Sequence, residues 1–259
     1  MSRDQLRDQA KSIALPVGAV TVLLFLWFGT YKLRLFHESA LPSPAAVGRG
    51  LMEEIRTGRL FMDLITSLYR VGVGFLLAVF TGIPTGVWLG QAVSPRLALL
   101  PIINFFRNLS PLAWIPFAIL WFGVGDSASI FLIFLAAYFP IVIATMAAVA
   151  SIPAVYFRVA QSYELKGWGK LFEVTLPAIM PDLITTLRMT AGLCWLVVVA
   201  AEMIAGRDGL GFAVMDSRNG LRTDILVVEM IVIGVIGIVL DRVLLSLSKI
   251  PSVRWGYER

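Results

Sequence analysis

Residues 158–181 read RVAQSYELKGWGKLFEVTLPAIMP, and this stretch decides how the chain is laid out. It separates two long apolar segments, 129–150 and 178–204, so the chain must leave a bilayer and return to it here. Most of its residues suit a helix, but Gly167 and Gly169 interrupt it and Leu176-Pro177 closes it. The pattern predicts a helix, a turn that glycine permits, and a second helix leading into the membrane. Such a hairpin is either an ordinary polar loop or a lever for a soluble partner.

Composition agrees with a membrane bundle. Of 259 residues, 58% are hydrophobic and 15% charged, against roughly 25% charged in soluble domains. Mean hydropathy is +0.82, which leaves little room for a separate soluble domain. The net charge of +5 is spread without a Lys/Arg block, so nucleic acid is not an expected partner. Cys194 is the single cysteine and lies in an apolar segment, which excludes an intrachain disulfide. His37 is the single histidine, without Cys, His or Asp neighbours at ligand spacing, so no metal site is expected. Residues 1–11 are charged and 12–30 apolar, but no small-x-small cleavage site follows. With Trp27, Tyr31 and Lys32 as interfacial anchors, this reads as a retained first helix.

Six segments are apolar enough to span: about 13–29, 62–90, 100–122, 129–150, 178–204 and 225–247. An even number puts both termini on one side, and a small Lys/Arg excess places that side in the cytoplasm. Lys249 and Arg254 then form a basic cytoplasmic tail. Between the first two spans, Leu41-Pro42-Ser43-Pro44 enters a short surface helix at about 45–57. Pro44 suits its first turn and Gly58 its C-terminal cap. The second span carries Gly82, Gly86 and Gly90 at four-residue spacing, a face that lets another helix approach closely. Arg70, near the outer end of that span, is expected to snorkel to the interface.

Polar residues inside the spans mark where function is expected. In the third span Asn104, Arg107, Asn108 and Pro111 fall at i, i+3, i+4 and i+7, one polar stripe on an apolar helix. Pro111 and Pro116 each free a carbonyl one turn earlier, so the stripe reads as a pathway wall or as an inter-helix clamp. In the fifth span Arg188, Trp195 and Glu202 are seven apart and share a face. Arg188 either attracts an anion or pairs with a carboxylate across the bundle. The outer loop 205–224 turns at Gly206, Gly209 and Gly211, and is expected to contact a substrate-delivering protein. Gly209–Gly211 is too short for a phosphate-cradling loop. GxxxxGK[ST], GxSxG and HExxH are all absent, so the chain does not read as an enzyme and any energy input must come from another subunit.

The 158–181 stretch resembles the coupling-loop signature of ABC-importer permeases: a Glu-Ala-Ala start, a Gly six residues on, and Leu-Pro twelve residues later. Ala160 and Leu176-Pro177 fit it, while Arg158 stands where that family usually has Glu and Glu164 where it usually has Gly. The flanks PLAWIPFAILWFG (111–123) and LRMTAGLCWLVVVAAEM (187–203) resemble the nitrate/sulfonate/taurine/bicarbonate branch. The resemblance implies an all-α membrane protein with the type I ABC-importer permease fold: six transmembrane helices in a single domain over 1–259, with a cytoplasmic coupling helix in loop 158–177. It implies a permease subunit of an ATP-driven importer for a small oxyanion, in a bacterial cytoplasmic (inner) membrane. The partners implied are a second permease copy (a homodimer), two cytoplasmic ATPase subunits that hold ATP and Mg, and an external substrate-binding protein. At the ATPase contact, Tyr163 and Leu165 are expected as the buried anchor, Glu164 as a charge contact beside Lys166, and Gly167 as the turn. Asn104, Arg107, Asn108, Arg188, Trp195 and Glu202 are expected along the translocation pathway. The alternatives are a stand-alone secondary transporter or channel for a small anion, and a membrane-embedded enzyme. The first calls for an internal repeat and mid-membrane carboxylates, and neither is read. The second calls for a catalytic constellation, which is absent.

Overall fold

A computed structural model describes residues 3–37 and 40–247, with backbone alone for 3–13 and Leu247. The expected basic tail with Lys249 and Arg254 lies outside the described residues. Every regular element described is helical. In chain order these are α1 (Arg3–Lys32), α2 (Pro44–Thr57), α3 (Arg59–Gln91), α4 (Val93–Asn108), a 3-10 turn (Pro111–Trp114), α5 (Ile115–Phe122) and α6 (Asp126–Ala150). After them come α7 (Ala154–Ser162), α8 (Trp168–Lys170), a π-helical turn (Leu171–Thr175), α9 (Leu176–Ala205), α10 (Leu210–Asn219) and α11 (Thr223–Leu247). Among the described residues, five helical stretches are long and apolar enough to cross a membrane: Ala14–Lys32, Arg59–Gln91, Asp126–Ala150, Trp168–Ala205 and Thr223–Ser246. The remaining expected span, 100–122, is assembled from the end of α4, the 3-10 turn and α5.

The break in that span has a local cause. A residue before proline is pushed out of the helical region by the proline ring. Ser110, before Pro111, accordingly sits at ψ 128°, and Leu109 beside it at ψ 129°. Pro111 and Pro116 then occupy the first turns of the two following pieces, where no backbone donor is needed. The expected four-residue stripe is therefore cut. Asn104, Arg107 and Asn108 remain on α4, but Pro111 belongs to the next element.

The chain divides into two compact units, Met1–Leu60 with Val214–Ile231, and Phe61–Ala213 with Val232–Arg259. In the larger unit α6 is the central helix, with Leu132, Ile133, Ala137 and Ile141 fully buried. Its neighbour α3 meets it through small residues. A Cβ added to Gly74 would lie 2.8 Å from Ile133, at Gly82 3.0 Å from Ile141, and at Gly86 and Gly90 2.6 Å from Thr145 and Val149. Ala78, fully buried, completes the four-residue row on α3. The facing row on α6 (Ile133, Ile141, Thr145, Val149) also steps by multiples of four, so two backbones meet with almost no side-chain layer between them.

In the smaller unit, α2 begins and ends as its sequence dictates. The Ser43 side chain accepts the Ala46 N–H at 3.1 Å, Pro44 fills the first turn, and Gly58 caps the end at φ 76°. Its buried face is Val47, Gly50 and Glu54, with Gly50 against Asp224 and Ile225. Two surface ion pairs tie α2 and its exit to the α10–α11 corner: Arg222 to Glu53 at 2.7 Å and Arg59 to Asp216 at 2.5 Å. The Arg222 hydrogen bond holds the Glu53 carboxyl below the usual carboxylate range. Both members of each pair are solvent-exposed, so these clasps set position more than stability.

Candidate functional site

Arg70, Arg188 and Arg107 all lie on helices of the larger unit, and their surroundings differ. Arg70, on α3, is 1% exposed. Its guanidinium pairs with Glu202 on α9 at 2.9 Å, with Asp126 at the start of α6 at 2.6 Å, and with Asp208 in the loop after α9. It also donates to the Asp208 carbonyl at 2.8 Å. The expectation that Arg70 snorkels to an interface is thereby corrected. Three carboxylates from distant parts of the chain hold it inward.

Glu202 itself is fully buried, although its sequence position suggested the pathway face. Besides Arg70 it accepts the Ser67 hydroxyl at 2.8 and 2.9 Å and the Gly211 N–H at 2.9 Å. Loop 206–211 closes over it. Leu210 N–H donates to Ser67 and Gly209 N–H to Asp63. At φ 96°, a Cβ on Gly209 would fall 2.5 Å from the Glu202 carboxylate. The glycines expected to mark turns thus also make room for a buried acid. Glu202 is occupied as a structural lock and is not displayed to a passing ion.

Arg188 pairs with Asp241 on α11 through two hydrogen bonds of 2.8 Å. The carboxylate across the bundle, one of the two outcomes the sequence left open, is therefore Asp241. Trp195, one heptad further along α9, is 4% exposed and donates its indole N–H to the Ile233 carbonyl at 3.1 Å. Gly237 of α11 gives the indole room. The face shared by Arg188, Trp195 and Glu202 is thus largely a packing face, along which Arg188 alone is half-exposed.

Arg107 is different. It stands at the last turn of α4, exposed, and among the described residues it makes no hydrogen bond or ion pair. Beside it, between the end of α4, the 3-10 turn, α6 and α9, lies a cavity of about 70 Å³ lined by Phe106, Arg107, Trp114, Ala136, Phe139 and Leu193 among others. Phe106 stacks on Phe139 with centroids 5.6 Å apart and planes 9° from parallel, and it also meets Trp114 at 6.0 Å. The interruption at 109–110 creates this recess, because it turns Trp114 back toward the end of α4. Asn104 is half-buried and Asn108 exposed on the same helix. Periodicity read the polar residues here but not the aromatic wall.

The loop after α7 is built as the sequence led one to expect, with one surprise. Helix α7 ends in a Schellman motif: Leu165 N–H bonds to Ala160 O at 2.9 Å and Glu164 N–H to Gln161 O at 3.0 Å. The left-handed residue of that motif, ordinarily glycine, is Glu164 at φ 56°. The position where the coupling signature carries glycine is the one where the backbone needs it. A non-glycine residue there costs about 1–2 kcal/mol, partly offset by the lower unfolded-state entropy. Glu164→Gly should therefore stabilise the loop by roughly 0.5–1 kcal/mol, seen as slower hydrogen exchange of the Glu164 and Leu165 amides. Faster exchange would mean that the Glu164 side chain holds the turn. Gly167, at φ 53°, makes the second reversal, while Tyr163 projects at 77% exposure and Leu165 is half-buried against Gly169. Trp168 and Phe172, missed by sequence reading, stack at 5.8 Å and stay 74% and 60% exposed. Lys166 is exposed beside them. Among the described residues no group of His, Cys, Asp or Glu could hold a metal ion.

Residues 82–250 match the family described as binding-protein-dependent transport system inner membrane component. The taurine transport system permease protein of Escherichia coli is 34% identical over 245 residues, covering 93% of this chain and 89% of that one. The nitrate import permease protein of Synechocystis sp. is 33% identical over 244 residues, covering 91% and 88%. Among solved structures, inward-facing MetNI methionine ABC transporter matches with a TM-score of 0.60 at 19% identity, over 74% of this chain and 98% of that one. That likeness extends to the fold, the type I importer arrangement of helices.

Proposed function

The chain belongs to the binding-protein-dependent transport system inner membrane components, in the branch of the taurine, sulfonate, nitrate and bicarbonate permeases, and on that footing we propose that it lines the translocation path of an ATP-driven importer for a small oxyanion. The observation that carries the substrate charge is Arg107. Arg70 is surrounded by three carboxylates and Arg188 is matched by Asp241, so neither has charge to spare. Arg107 has no such neighbour and faces a recess. Energy enters from outside the chain. Tyr163, Glu164, Leu165, Lys166 and Gly167 form the ATPase contact, with Trp168 and Phe172 as additional exposed anchors. In this reading two copies of the chain form the path, two cytoplasmic ATPase subunits bind the loops, both termini are cytoplasmic, and an external protein delivers the anion. A rigid α9, continuous from α8 through the π-helical turn, carries the loop's displacement into the bundle.

The test is a mild-detergent pull-down of the tagged chain from its native membrane, assayed for ATP hydrolysis with the cognate binding protein and nitrate, bicarbonate or taurine. A co-purifying ATPase whose turnover rises with one anion supports the reading. A chain that emerges alone yet conducts anions in vesicles overturns it.

A further inference from the structure

Resting on the import reading, we propose that the cavity beside Arg107 is a subsite for a short-chain organic anion, with the charged head on Arg107 and a tail of two to three carbons among Phe106, Trp114 and Phe139. Three observations converge on this. The first is charge: Arg107 is exposed at the mouth of the cavity and makes no ion pair among the described residues. An anion arriving there gains a guanidinium without displacing a carboxylate.

The second is the chemistry of the walls. Phe106 lies 5.6 Å from Phe139 and 6.0 Å from Trp114, and Phe131 meets Trp114 edge-on at 6.5 Å. Ring faces carry negative electrostatic potential, so they repel an anionic head and favour hydrocarbon. A bare anion would exchange its water for these faces at a loss. An anion with a short tail places each part against its complement: oxygens on Arg107 and methylenes on the rings.

The third is size. The cavity holds about 70 Å³. That is about half of the roughly 150 Å³ that admits a benzene ring in an apolar protein cavity. Two or three carbons fill it, and a longer chain runs out of room. The same description fits the glycerol end of an anionic lipid, so the source must be separated by experiment.

The assembled importer, with its ATPase subunits, is placed in phosphatidylcholine nanodiscs and titrated calorimetrically with nitrate, methanesulfonate, ethanesulfonate, propanesulfonate and hexanesulfonate. Affinity is expected to rise about fourfold per added carbon up to three, then to stop rising. Arg107→Gln weakens binding of every sulfonate. Ala136→Met fills the cavity from α6 and flattens the series. Should that buried substitution prevent assembly, Leu193→Phe fills it from the half-exposed face of α9. A flat series in the wild type, or a series unchanged by either filling variant, overturns the subsite. Discs containing phosphatidylglycerol separate the sources. An unchanged series supports a free anion, whereas a series abolished by that lipid assigns the recess to a headgroup and overturns the proposal. ATP hydrolysis with the binding protein is followed on the same preparation. A flat series with anion-stimulated hydrolysis intact removes the subsite and leaves the importer reading standing. Absence of stimulated hydrolysis removes that reading itself.

Discussion

Arg70→Met is expected to destabilise the folded chain by about 3–5 kcal/mol and to remove most of it from the correctly assembled pool. The reason is what it leaves behind. Asp126 and Asp208 are 55% and 57% exposed and can be hydrated once Arg70 is gone. Glu202 is fully buried and would keep only the neutral donors Ser67 and Gly211. The reverse substitution is milder. In Glu202→Gln, Arg70 retains two carboxylates, so a loss of about 1 kcal/mol is expected. Combining the two substitutions should recover part of the Arg70→Met defect, because no ionised acid is then buried. Thermal unfolding of the purified variants in one detergent checks all three values. If Glu202→Gln proved as damaging as Arg70→Met, the stranded acid would not be the cause.

Gly86→Val is the other change with a large expected effect. A single Cβ there already falls 2.6 Å from Thr145 Cβ and 2.8 Å from the Val142 carbonyl oxygen. Part of that obstruction is backbone, which a rotamer change cannot relieve, so α3 and α6 must separate. Overpacking of this kind costs about 1–3 kcal/mol in soluble cores, and contact with backbone places this site at the upper end or above. Gly72, on the same helix, has nothing within 4 Å of an added Cβ and serves as the control. Melting temperature should fall for Gly86→Val and hold for Gly72→Val. Equal behaviour of the two would show that the loss comes from β-branching in α3 and not from the interface. Thr145→Ala should restore part of the stability of Gly86→Val.

The sequence was most informative where structure depends on neighbours in the chain. Pro44 and Gly58 bounded α2 because caps are local chemistry, and the observed helix, Pro44–Thr57, agrees. Gly82, Gly86 and Gly90 announced a close helix contact, and the row proves longer at its start, through Gly74 and Ala78. The polar stripe of α4 was legible, but its end was not. Pro111 acts on Ser110 before it, and that restriction outweighed an unbroken apolar run. Arg70 was misread because its partners Asp126, Glu202 and Asp208 lie 56, 132 and 138 residues away. Periodicity within one helix says nothing of what faces it. A separation of 53 residues hid Asp241 from Arg188 in the same way, whereas the aromatic wall beside Arg107 was hidden by the local break at Leu109-Ser110. Glu164 was noticed as a departure from a signature, and the conformation that makes it unusual needed the backbone to be seen.

The backbone-to-backbone meeting of α3 and α6 has a consequence for motion. Helices slide past one another by letting the side chains between them change rotamers in small steps. Where glycine faces a β-branched residue, that lubricating layer is missing and the two helices are geared together. They travel as one piece, and any rocking is absorbed at the ends of the pair, where the chain leaves regular helix: at Ala92 after α3 and at Ser151–Pro153 after α6.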